Sequence, residues 1–198
     1  MKEITIYLVR HCEPELPSAD TCLGITDIPL SKKGIKQASK LKSYFSDKDI
    51  AAIYSSPLKR AKKTAEIIAD SKVKIKNANR FSELNMGKWD GMSFAEIKEK
   101  YPEEYVERGK KFESYVVEGG ESMSMCRDRA LAQLRSIIGS STGNILIVAH
   151  AGVNRLILSE LLGISIKESF IFQREYGSII RLKYDGNILR SDSEEIQI

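Results

Sequence analysis

Ile4-Thr5-Ile6-Tyr7-Leu8-Val9 runs straight into Arg10-His11, and that junction decides how the rest of the chain is read. The run is nearly all apolar, as a strand covered on both faces requires. Ile50-Ala51-Ala52-Ile53-Tyr54 and Ile145-Leu146-Ile147-Val148-Ala149 read the same way. Between these runs the apolar residues take helical spacing. Ile35, Ala38, Leu41 and Phe45 share one face, as do Leu58, Ala61, Ala65 and Ile68. A third helix starts near Ser122 with Met123, Ala130, Leu134 and Ile137 inward, and a fourth follows His150 with Val153, Ile157 and Leu161 inward. Strand alternating with helix predicts an α/β fold of three layers, α/β/α, with a mostly parallel sheet and helices on both faces. Ser169 to Phe172 and Ser178 to Tyr184 read as two further strands, with Asp185-Gly186 as a turn. The stretch from Arg80 to Gly120 fits the alternation worst, and is expected to form a helical insertion over one end of the sheet. The polar tail from Ser191 to Ile198 is expected to fray.

The chain has 198 residues, 42% hydrophobic and 29% charged, which suits one domain over 1–198 with a sizeable core. Its net charge is +4 and the basic residues are scattered, so there is no nucleic-acid footprint, although an anionic substrate is suited. No apolar run approaches the ~20 residues that cross a bilayer, and the first is too short for the ~7–15-residue core of a signal peptide. Three cysteines cannot all pair and are not spaced as zinc ligands. These features predict a cytoplasmic protein with neither membrane nor nucleic acid as partner; a homodimer stays open.

In an open parallel sheet, ligands bind beyond the carboxyl ends of the strands. Three predicted strands end there in Arg10-His11, in Ser55-Ser56-Pro57-Leu58-Lys59-Arg60, and in His150-Ala151-Gly152. The chain has only two histidines, and both fall directly after a strand on the same rim. Ser56 can cap a helix that begins at Pro57, which puts Arg60 in the first turn beside free N–H groups and the positive end of the helix dipole. Arg10 adds a second guanidinium able to grip phosphate oxygens bidentately. Such cations depress an imidazole's pKa, leaving His11 neutral and able to attack phosphorus. Glu83 in the insertion is a carboxylate able to protonate a leaving alkoxide. No cofactor is expected, and with two histidines and no tight carboxylate cluster no metal is indicated.

Leu8-Val9-Arg10-His11, Ser55-Ser56-Pro57-Leu58-Lys59-Arg60-Ala61, Glu83 to Gly91, and Val148-Ala149-His150-Ala151-Gly152 resemble the motifs of the histidine phosphatase superfamily, in its phosphoglycerate-mutase-like branch. Gly24-Ile25-Thr26-Asp27-Ile28-Pro29-Leu30, then Gly34, and Gly119-Gly120-Glu121-Ser122 are also similar, in the family's order across nearly the whole chain. The resemblance implies His11 as phosphorylated nucleophile, Arg10, Arg60 and His150 as phosphate ligands, and Glu83 as proton donor. It implies a six-stranded sheet with one antiparallel strand, and Gly24, Ile25 and Gly152 as substrate-binding positions. Two departures stand out. Cys12 replaces the glycine usual after the nucleophile, which predicts a crowded pocket or an oxidisable thiol. Pro17 replaces a frequent asparagine, so Ser18 or a backbone group is expected to compensate.

The plainer readings of neighbouring residues are structural. Glu121 suits a helix N-terminus, Asp27 a turn or cap, and Cys22 and Cys126 buried thiols. Trp89 suits either the substrate entrance or packing. A cysteine phosphatase built on Cys12 fails, because the arginine it needs six residues on is Ser18. The chain is shorter than cofactor-dependent mutases, and Leu23 to Leu30 is similar to alpha-ribazole phosphatases. The expectation is a phosphomonoesterase acting on a small phosphorylated metabolite, with alpha-ribazole 5'-phosphate leading. A mutase and a non-catalytic phosphate-binding regulator are the alternatives.

Overall fold

The computed structural model describes residues 3–18, 20–171 and 175–196. Its strands are β1 (Ile4–Arg10), β2 (Ile50–Ser55), β3 (Ile75–Asn77), β4 (Asn144–Ala149), β5 (Ile179–Tyr184) and β6 (Leu189–Ile196). They form one six-stranded sheet in the order β3-β2-β4-β1-β5-β6. The first four strands run parallel. β5 pairs antiparallel with both β1 and β6, so it alone opposes the rest.

The apolar runs work because each strand feeds two cores. Ile4, Ile6 and Leu8 of β1 join Ile145, Ile147 and Ala149 of β4 on one face. Tyr7, Val9, Leu146 and Val148 point to the other. The helices α1 (Lys32–Phe45) and α2 (Lys59–Ala69) cover this second face through Ala38, Leu41, Phe45, Ala61, Ala65 and Ile68. The first face is covered by α5 (Met123–Gly139) and α6 (Ala151–Leu162), reached after α3 (Phe94–Lys100) and α4 (Pro102–Lys110). Ile6, Leu8, Ile145 and Ile147 are fully buried, each contributing about 1.5–3 kcal/mol of transfer free energy. The chain leaves β1 toward the α1 face and leaves the adjacent β4 toward the α6 face. Their carboxyl ends therefore form a topological switch point, where a crevice opens.

The insertion consists of two 3₁₀ turns, Asn79–Phe81 and Gly87–Trp89, followed by α3 and α4. It has a small core of its own, made by Cys22, Met86, Trp89, Ile97 and Val117.

Five expectations are corrected. Ile35 is 38% exposed, and Gly34 takes the inward place because α1 presses on the Glu13 carbonyl there. Ser169 closes a short helix, α7 (Ile166–Ser169), started by the Ser165–Glu168 capping box; Ile171 is in a turn, and Phe172 lies outside the described residues. Ser191 to Ile196 belongs to β6, paired by its backbone to β5. The helix after β2 begins at Lys59 rather than Pro57, and its N-cap is Leu58 rather than Ser56. Finally, Cys12 packs in the α1–α2 core instead of crowding the rim. Burial pushes its thiol up to about 12, which keeps it protonated and removes the basis for an oxidisable thiolate. Among the described residues no helix is long and apolar enough to cross a membrane.

Candidate active site

The rim assembles because three parallel strands deliver their last residues to one edge. The His11 N–H donates to the Ala149 carbonyl at 2.9 Å, the Ser56 N–H to Val148 at 3.0 Å, and the Arg10 N–H to Ser178 at 3.0 Å. His11 is 4% exposed and His150 fully buried, with ring centroids 5.0 Å apart.

His11 Nδ1 lies 2.7 Å from the Cys12 carbonyl oxygen. A carbonyl only accepts, so Nδ1 carries the proton and Nε2 keeps its lone pair. Arg60 Nε donates to that Nε2 at 3.3 Å. The other arms of the fully buried Arg60 donate to the Thr26 carbonyl at 2.8 Å and the Gly24 carbonyl at 2.7 Å. Asp27 accepts from the Lys59 N–H at 2.6 Å, so it caps α2 from a distant loop and takes the task expected of Ser56. Ser56 instead places its Oγ 2.7 Å from His150 Nε2. His150 Nδ1 is buried without a hydrogen-bond partner among the described residues, an arrangement that costs free energy until a ligand or water pairs with it. Arg10 lays its guanidinium over the Tyr176 ring, 3.8 Å from the centroid, and Tyr176 also lies 5.6 Å from the His11 ring.

Burial first, then the charges of Arg60 and Arg10, holds His11 well below the ordinary imidazole range. His150 is lowered likewise, by burial first and then by His11, Arg60 and Arg10. Both rings are therefore neutral near neutral pH. The unfolded chain protonates them below about pH 6.5, whereas the folded chain does so only at lower pH. Folding stability should be unaffected by these rings above that value, and should fall as pH drops through it by about 1.4 kcal/mol per pH unit per histidine. Thermal unfolding of wild type and His150→Gln between pH 7.5 and 5 checks this; equal slopes would refute it.

Glu83 projects from the insertion. Its Oε1 accepts from the Leu84 N–H at 2.9 Å and its Oε2 from the Gly152 N–H at 3.1 Å, in the first turn of α6. A Cβ at Gly152 would collide with Glu83 Oε1, so glycine leaves room for the carboxylate in this position. Arg10, His11, Glu83 and Gly152 line one cavity of about 360 Å³.

Arg60, His150 and Gly24 are not among the residues lining that cavity, although Arg60 and His150 both adjoin the His11 ring. Ile25 is 42% exposed and is not among the lining residues. Ser18 is also exposed and outside the lining, bonded to Asp20 and Thr21. Trp89 is 1% exposed and packs between Tyr101, Tyr105 and Tyr115. Cys22 lines the cavity and Cys126 is fully buried. Arg108, Arg155 and Tyr176 are among the lining residues that lacked a sequence signal. Among the described residues no three His, Cys, Asp or Glu side chains could hold a metal ion.

A neutral histidine whose free nitrogen faces buried guanidinium groups, with a carboxylate across the same cavity, defines a centre that can receive a phosphoryl group. The sequence profile of the histidine phosphatase superfamily (branch 1) matches residues 6–193, and the chain belongs to that family. The chain is 32% identical over 195 residues to phosphoserine phosphatase 1 of Hydrogenobacter thermophilus, covering 94% of this chain and 90% of that one. Its fold matches the phosphoserine phosphatase of Entamoeba histolytica solved with 3-phosphoglyceric acid, at TM-score 0.85 and 23% identity over 98% of each chain. It also matches the alpha-ribazole phosphatase of Shigella flexneri, at TM-score 0.85 and 22% identity over 95% of this chain and 94% of that one. Both structural likenesses show the fold alone.

Proposed function

We propose that the protein is a cytoplasmic, metal-independent phosphomonoesterase working through a phosphohistidine on His11, and that its substrate is a small metabolite carrying a carboxylate besides the phosphoryl group. The carrying observation is the His11 ring, with Nδ1–H fixed on Cys12 O and its Nε2 lone pair beside Arg60. In the first step Nε2 attacks phosphorus, the P–O bond to the alcohol breaks, and protonated Glu83 gives its proton to the departing alkoxide. In the second, Glu83 as carboxylate takes a proton from water, whose oxygen attacks phosphorus; the P–N bond breaks and neutral His11 returns. Arg10, Arg60 and His150 stabilise the charge on the phosphoryl oxygens in both steps. Three unpaired cysteines suit a reducing compartment.

The second anion is inferred from Arg108. It lines the cavity over Trp89 and Phe112, burial lowers its pKa, and among the described residues no carboxylate pairs with it. A half-buried guanidinium without a counter-charge favours an anionic ligand. The 32% identical relative is named for phosphoserine, which bears such a carboxylate. Alpha-ribazole 5'-phosphate is the second reading, favoured by the apolar lining from Leu16, Leu84, Met86, Phe94 and Met123.

Turnover of phosphoserine, 3-phosphoglycerate, alpha-ribazole 5'-phosphate and p-nitrophenyl phosphate in excess chelator tests the proposal. The carboxylate substrates should lead, and Arg108→Met should lower their kcat/KM by about 10²-fold, chiefly through KM, while sparing p-nitrophenyl phosphate. A preference for alpha-ribazole 5'-phosphate that Arg108→Met leaves unchanged would transfer the assignment to that substrate. Return of the phosphoryl group to the substrate instead of to water would identify a mutase. Phosphate binding with no labelled phosphohistidine would identify a regulator.

A further inference from the structure

Among the described residues, Glu83 is held at its carboxylate by only two backbone N–H groups. The segment that carries it has a stronger anchor, away from the cavity lining. Arg129 of α5 and Glu121 just before that helix form a bidentate pair, Nη2 to Oε1 at 2.6 Å and Nε to Oε2 at 2.9 Å. Their side chains are 23% and 15% exposed. Arg129 also donates to two carbonyls of the insertion, Nη1 to Arg80 at 2.6 Å and Nη2 to Glu83 itself at 3.1 Å. Glu121 Oε1 accepts from the Asn85 N–H at 2.9 Å, and the Glu121 N–H donates to the Asn85 carbonyl at 3.0 Å. The pair thus grips backbone groups before, at and after Glu83, and ties them to a helix of the main core.

We propose that Arg129 and Glu121 are positioning residues that hold Glu83 in register with the leaving-group oxygen. The inference rests on the reading of Glu83 as proton donor. The charges have a reason to be here: a neutral side chain has too few donors to satisfy two carbonyls and also fix its own orientation, whereas the guanidinium fork does both. A general acid gives its benefit only within hydrogen-bond reach of the oxygen it protonates, and a shift of about 1 Å costs about 10²-fold. The clamp should therefore matter in proportion to how much the leaving group needs a proton.

The test compares p-nitrophenyl phosphate, whose phenolate leaves without a proton, with phenyl phosphate and ethyl phosphate, whose leaving groups are successively more basic. Glu83→Gln, Arg129→Met, Arg129→Lys and Glu121→Gln are measured beside wild type, each with its thermal midpoint. Arg129→Met should lower kcat/KM, which reports the steps up to departure of the alcohol and not the hydrolysis common to all three esters, about 30-fold on ethyl phosphate while changing p-nitrophenyl phosphate by less than about 3-fold. Glu121→Gln should show the same selectivity at smaller size, and Arg129→Lys should recover part of the loss. An equal fall on all three esters in both Arg129→Met and Glu121→Gln marks a merely structural pair and overturns the proposal, as does no fall on any. Glu121→Gln decides the matter should Arg129→Met fail to fold. Absence of leaving-group selectivity in Glu83→Gln overturns the donor assignment itself and the clamp with it. Selectivity in Glu83→Gln alone removes only the clamp.

Discussion

His11→Ala should lower turnover by on the order of 10⁴-fold or more on every substrate and abolish acid-labile labelling by radioactive phosphate ester. The size follows from the covalent step proposed for His11. Without Nε2 no phosphoenzyme forms, and what remains is the stabilisation that Arg10, Arg60 and His150 offer to direct attack by water. Structural damage is expected to be small. Among the described residues His11 hydrogen-bonds through its side chain only to the neighbouring Cys12 carbonyl and to Arg60 Nε. A thermal midpoint near that of wild type, with activity gone, separates the chemical role from folding. Retention of more than a hundredth of the activity would exclude the phosphohistidine route.

Arg60→Lys is the second large effect, and it distinguishes a planar fork from a bare charge. Lysine keeps the positive charge but cannot reach His11 Nε2, the Thr26 carbonyl and the Gly24 carbonyl together, as Arg60 does. Losing one preorganised donor at a centre of developing charge costs about 10²–10³-fold in kcat. A buried carbonyl left unpaired costs about 1–3 kcal/mol, so the thermal midpoint should fall as well. Kinetics and thermal unfolding of the same sample check both. An Arg60→Lys protein with wild-type kcat would show that only charge at this position matters.

The architecture was legible wherever burial on both faces leaves an unbroken apolar run. β1, β2 and β4 announce themselves, and a parallel sheet then sends both histidines to one rim. Arg60 was legible as an arginine shortly after a strand, although the cap assigned to Ser56 comes from Asp27, some thirty residues earlier. Other features carry no local signal. Gly34 occupies a core position on α1 because nothing larger fits against the Glu13 carbonyl, and a reading based on hydrophobicity passes over it for Ile35. The polar Ser191 to Ile196 looks like a loose tail, yet an edge strand is held by backbone pairing and tolerates charge. Tyr176 escaped because β5 opposes β1, so it is the start of β5, not its end, that reaches the rim. Arg108 and Arg129 are two among 31 basic residues, and only the folded chain separates a cavity-lining cation from a backbone clamp.

The insertion's separate small core bears on how such a protein diversifies. Met86, Trp89, Ile97 and Val117 pack with Cys22 in a cluster distinct from the two cores that flank the sheet, joined to one of them through Leu84. α4, which supplies Arg108 to the cavity, is therefore mounted on packing of its own. A substitution at Arg108 is expected to alter what is accepted at the cavity while leaving Arg10, His11 and His150 in place at the ends of β1 and β4. Inherited change can accumulate in the one compartment while the other stays constant, so lineages sharing the reaction are free to part company over what they dephosphorylate.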